Sequence, residues 1–67
     1  MQAKDPLIWK MICAGVYADS LSRYVIVDIG DDWLIRFSDF DGKTHRLGTR
    51  PTLAEAKEYA DDHWQNV

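Results

Sequence analysis

This chain is poor in the residues that staple or punctuate small folds. It has one cysteine, Cys13, two prolines and four glycines in 67 residues. One thiol forms no internal disulfide, so a secreted, disulfide-stapled scaffold is excluded. It also cannot assemble a multi-cysteine zinc site. No apolar stretch approaches the roughly 20 residues of a membrane-spanning helix. Met1 to Pro6 is too polar to read as a signal peptide. There is no surplus of positive charge either. Eight Lys and Arg against eleven Asp and Glu leave a net charge of -3. These absences point to a cytoplasmic domain that does not enter the membrane.

What is present argues for a folded chain. Hydrophobic residues make up 46%, with three Trp, three Tyr and two Phe. That composition lies far from the disordered signature of low hydrophobicity and high charge. Each aromatic can bury about 150–250 Å². Such a short chain folds as one domain, residues 1–67, with 1–6 as a loose arm because Asp5 precedes proline.

The apolar segment Leu7 to Ala18 carries Lys10 as its one charge. Its chemistry suits a strand over Lys10 to Tyr17, with Gly15 at a bulge or a close backbone approach. A helical turn over Leu7 to Cys13 fits the spacing as well. Tyr24 to Ile29 is rich in β-branched residues and reads as a strand. Trp33 to Phe37 is the next, with Trp33, Ile35 and Phe37 on one face and Leu34 and Arg36 on the other. Asp39-Phe40-Asp41-Gly42 is a hairpin turn. Lys43 to Leu47 returns as a polar edge strand.

The helix is announced most clearly. Thr52-Leu53-Ala54-Glu55 has the spacing of a capping box. Leu53, Ala56, Ala60 and Trp64 then recur on one stripe, which predicts a helix from about Leu53 to His63. The expected fold is α+β: a three- or four-stranded antiparallel sheet with one C-terminal helix packed on one face. Both faces of that sheet carry apolar residues, and one short helix covers only one of them. Trp9, Tyr17, Trp33, Phe37 and Trp64 are the expected aromatic core.

The run Leu47-Gly48-Thr49-Arg50-Pro51-Thr52-Leu53-Ala54-Glu55-Ala56-Lys57, with Trp9, Gly15-Val16-Tyr17 and Trp33 before it, resembles the closing signature of short uncharacterised phage and prophage proteins. The resemblance implies a phage or prophage origin and no activity. The same strand-to-helix corner is similar to that of AP2-type DNA-binding domains, whose sheet face reads the major groove through Arg and Trp. It implies a nucleic-acid face built from Arg23, Arg36, Arg46 and Trp33. Lys43, Arg46 and Arg50 could form a local basic patch. Residues 23–50 carry five positive and five negative charges, however, and residues 51–67 carry the whole -3. That balance argues against phosphate neutralisation as the source of affinity.

Catalytic and metal motifs are missing. Asp28, Asp31 and Asp32 read as a solvated turn, since hard cations want six or more oxygens from a shaped loop. Phe37 stands where the first ligand of an Asp-rich calcium loop would be. Cys13, His45 and His63 are scattered, with Cys13 expected in the core and His63 favouring the helix dipole. No metal, cofactor or catalytic group is expected, and an enzyme is not the reading.

The expected function is a small protein of phage or prophage type that binds and modulates a host or phage protein. The alternatives are an AP2-like nucleic-acid accessory and a virion or assembly component. The expected contact residues are Phe40, Trp33, Tyr24, Arg36 and Arg46, with an aromatic centre and a charged rim. Self-association through the uncovered sheet face is a further expectation.

Overall fold

The computed structural model describes residues 5–39 and 41–66. Five antiparallel strands follow one another in sheet order: β1 (Trp9–Cys13), β2 (Val16–Asp19), β3 (Tyr24–Asp28), β4 (Trp33–Ser38) and β5 (Thr44–Arg50). One helix, α1 (Leu53–Gln65), closes the chain. The α+β class is as expected, and the strand count is higher by one or two.

The additional strand comes from the N-terminal apolar segment. It does not run as one bulged strand over Lys10 to Tyr17, nor as a helical turn. It folds back on itself at Ala14-Gly15, and Gly15 sits at φ 77°. That left-handed backbone is open to glycine at little cost. A Cβ at Gly15 would also lie 3.2 Å from the Cβ of Asp28, whose amide donates to the Gly15 carbonyl. The bulge exists, but it lies between Met11 and Cys13. Strand β5 also runs further than expected, to Arg50, through a register shift opposite Ile35 and Arg36.

The helix begins at Thr52, whose side chain accepts from the Glu55 amide at 3.2 Å. It satisfies one of the amides left unpaired in a first turn. Ala56 and Ala60 are fully buried against Tyr24, Ile26 and Ile35. Small residues on the stripe let the helix backbone approach the sheet. Leu53, Trp64, Trp9, Tyr17, Trp33, Phe37 and Tyr59 pack around this centre. The five expected aromatics thus flank the core as half-buried residues, and the fully buried aromatic is Tyr24. The helix lies over β3, β4 and β5, and β1 and β2 extend beyond it.

Two ties hold the ends together. The Leu7 amide donates to Asp61 Oδ1 at 3.1 Å, and Trp64 Nε1 donates to the Asp5 carbonyl at 3.0 Å. Residues 5–7 are thus anchored on the helix, where a loose arm was expected to reach residue 6.

Candidate functional site

The strand registers sort the side chains between two faces. Residues opposite one another point the same way, and neighbours along a strand alternate. Trp9, Tyr17, Tyr24, Ile26, Trp33, Ile35 and Phe37 share the helix-covered face. The other face has no helix. One row across it reads Lys10, Ala18, Val25, Arg36, Arg46. The next row reads Val16, Val27, Leu34, Thr49. Val16, Val25, Val27 and Leu34 are half-buried, while Lys10, Arg36 and Arg46 are exposed.

Arg36 and Arg46 stand directly opposite each other on adjacent strands. Like charges at facing positions destabilise a sheet. Among the described residues neither guanidinium has an ion-pair or hydrogen-bond partner. The five Asp of residues 23–50 all stand away from this pair, in turns or, for Asp28, at the helix-face register of Trp33.

The remaining expected contact residues are placed elsewhere. Tyr24 is completely buried and belongs to the core, so it is not a contact residue. Sequence alternation put it opposite Val25 but did not reveal that the helix lands on its side. Trp33 is half-buried on the helix-covered face, with its ring edge-on to Tyr17 at 6.1 Å. Arg23 turns over the Trp64 ring at 4.6 Å, and Arg50 lies over Tyr59 at 4.1 Å. Arg50 also donates to the Thr49 carbonyl. Arg23 and Arg50 are thus engaged with the helix and do not join Arg36 and Arg46. Lys43 is exposed in the β4–β5 turn. Phe40 lies outside the described residues.

The second cluster lies under the helix C-terminus. The Tyr24 hydroxyl is 2.6 Å from His63 Nδ1 and donates to it in the tautomer whose Nδ1 carries no hydrogen. His63 thus meets a buried phenol in addition to the end of the helix. Burial pushes the Tyr24 hydroxyl up to about 12, with the Asp19 carboxylate adding to the shift. Asp19 is itself buried, and its oxygens accept from the amides of Tyr24 at 2.7 Å and Leu21 at 3.2 Å. It braces the β2–β3 turn, in which Ser22 takes φ 58°. Sequence reasoning missed this role, although an aspartate opening an Asp-Ser-Leu-Ser turn is a signal for it.

Phe37 is flanked by both histidines, with ring centroids 4.9 Å from His63 and 6.4 Å from His45. His45 Nε2 donates to Asp39 Oδ2 at 2.8 Å. Asp39 Oδ1 accepts from the amides of Asp41 and Lys43. The His45 hydrogen bond, with those amides, holds the Asp39 carboxyl below its usual range. Asp39 thus organises the hairpin turn. A surface groove of about 480 Å³ opens beside it, with Arg23, Phe37 and Trp64 in its wall.

Cys13 is exposed on β1, not in the core. Its apolar surroundings in sequence suggested burial, but β1 projects past the helix. Cys13 and His45 sit on opposite edge strands. Among the described residues no three His, Cys, Asp or Glu side chains are grouped to hold a metal ion. No helix of the described chain is long and apolar enough to cross a membrane. Comparison with protein families, curated proteins and solved structures returned no significant match.

Proposed function

We infer that this chain is a non-enzymatic protein-binding module. It acts in the cytoplasm by covering part of a host or phage protein, in the manner of a small phage or prophage product. The observation that carries the reading is the uncovered sheet face, where Val16, Val27 and Leu34 form an aliphatic ridge beside Lys10, Arg36 and Arg46. An apolar centre with a charged rim is the usual anatomy of a non-obligate interface.

One feature favours a second reading. The facing pair Arg36 and Arg46 would also suit phosphates, as in the AP2-like alternative. The test is capture from bacterial lysate by the tagged chain, with and without nuclease, alongside a Leu34→Asp variant. A discrete protein retained after nuclease and lost with Leu34→Asp supports the protein-binding reading. Proteins lost on nuclease treatment, or recovery of nucleic acid alone, supports the second reading. Capture unchanged by Leu34→Asp removes the sheet face as the site.

A further inference from the structure

The uncovered face differs from the rest of the molecule in the sign of its charge. The chain carries a net -3, yet the charged strand residues on this face are Lys10, Arg36 and Arg46, all cationic. The register places them in one row, with Ala18 and Val25 between Lys10 and the arginine pair. The carboxylates of Asp19 and Asp28 fall at the opposite-face registers of Trp9 and Trp33. Glu55, Glu58, Asp61 and Asp62 are on the helix, behind the sheet. The separation of charge is therefore produced by the fold and is not visible in the overall composition.

We propose that the uncovered face docks an acidic protein segment that also carries aliphatic side chains. This rests on the protein-binding reading and names the chemistry of its partner. Two guanidiniums on facing positions repel each other in the free protein. A carboxylate set between them turns that repulsion into two charge-assisted hydrogen bonds. The neighbouring row, about 7 Å along the strands, offers Val16, Val27 and Leu34 to the segment's aliphatic side chains. The aliphatic row supplies buried apolar area, and the cationic row sets orientation and excludes basic partners.

Two observations favour a protein over a nucleic acid. The aromatic rings of Trp9, Tyr17, Tyr24, Trp33 and Phe37 lie on the other face or in the core beneath the helix. Among the described residues the uncovered face thus has no aromatic platform, which single-stranded nucleic acids stack on. Three cations also neutralise few phosphates, and the acidic remainder of the chain opposes a polyanion.

The experiment is a two-dimensional amide NMR titration of the intact chain with three probes at up to roughly 1 mM. The probes are a capped heptapeptide alternating Glu with Leu and Val, its Lys-for-Glu counterpart, and a ten-nucleotide oligothymidylate. The expected result is shifts at Val25, Val27, Leu34, Arg36 and Arg46 with the acidic peptide, and none with the basic one. An Arg36→Glu, Arg46→Glu double variant should weaken that binding by about tenfold or more. A spectrum with unchanged dispersion shows that the variant is folded. No shift with the acidic peptide, equal shifts with the basic one, or binding unchanged in the double variant overturns the proposal. So does a tighter response to the oligonucleotide, which points to phosphate. The two levels separate cleanly. If lysate capture is lost with Leu34→Asp while the double variant retains it, the face binds protein and the acidic partner is wrong. If neither substitution alters capture, the protein-binding reading of this face falls.

Discussion

The two faces of this sheet are built from the same five strands, yet they solve different problems. On the helix-covered face Tyr24, Ile26 and Ile35 are fully buried under Ala56 and Ala60. On the other face Val25, Val27 and Leu34, next to them in the chain, are only half-buried. Their neighbours there are exposed cations. Neighbouring residues of similar hydrophobicity are therefore buried to different depths, and their contributions to stability should differ accordingly. The difference lies in what covers them, not in what they are. The covered face supplies the buried core, and the uncovered face leaves half-buried aliphatic residues and a facing arginine pair at the surface.

The sharpest test of this contrast is a pair of adjacent substitutions. Ile35→Ala should cost about 2–5 kcal/mol, because it leaves a cavity beneath the helix. Leu34→Ala, one residue away on the open face, should cost clearly less. Urea denaturation of both variants compares them directly, and equal losses would show that the faces are energetically alike.

The second test uses the buried phenol of the covered face. The folded Tyr24 hydroxyl has its pKa raised from 10.0 to about 12. The unfolded chain therefore releases this proton first as pH rises. Its contribution to stability is full below about 10 and is lost as pH climbs to about 12. Thermal unfolding from pH 9 to about 12 should fall less steeply in Tyr24→Phe than in the parent chain. Parallel curves would mean that the hydroxyl is not held in a buried site.

The third test addresses the attachment of the cover. Thr52→Ala removes the side-chain acceptor of the Glu55 amide and should cost about 1 kcal/mol. An unchanged denaturation midpoint would mean that the helix does not depend on this cap.

The smallest effect is also the one of opposite sign. Arg36→Glu replaces a facing pair of like charges by an opposite pair and should stabilise the fold by about 0.2–1 kcal/mol. A rise in midpoint together with weaker partner binding would show that the arginine pair is retained at the expense of stability. A fall in midpoint would show that Arg36 already contributes to the fold.

Several parts of this architecture can be read along the chain. The cap at Thr52, the stripe of Leu53, Ala56, Ala60 and Trp64, and the alternation through β3 and β4 are local patterns. Each depends on residues a few positions apart, so spacing alone reveals it. The β1–β2 hairpin was not legible, because Leu7 to Ala18 has no strong turn pair. A close approach at Gly15 was one of the two expectations, but its partner Asp28, thirteen positions away in sequence, is visible only in the fold. The candidate site was half legible. Arg36 and Arg46 could be named from sequence, whereas Tyr24, Trp33, Arg23 and Arg50 went to the covered side.

By itself, then, the sequence determined an α+β domain, the position of its helix, and the presence of apolar residues on both sides of its sheet. Those properties follow from periodicity, capping and turn chemistry, which act over short distances along the chain. Only the tertiary structure decided which side the helix covers and that Arg36 meets Arg46. It also decided that Lys10, Arg36 and Arg46 share the uncovered face with no strand carboxylate. Register and packing bring together residues whose separation in sequence carries no trace of their contact, and that is why a chain of net charge -3 presents a cationic sheet face.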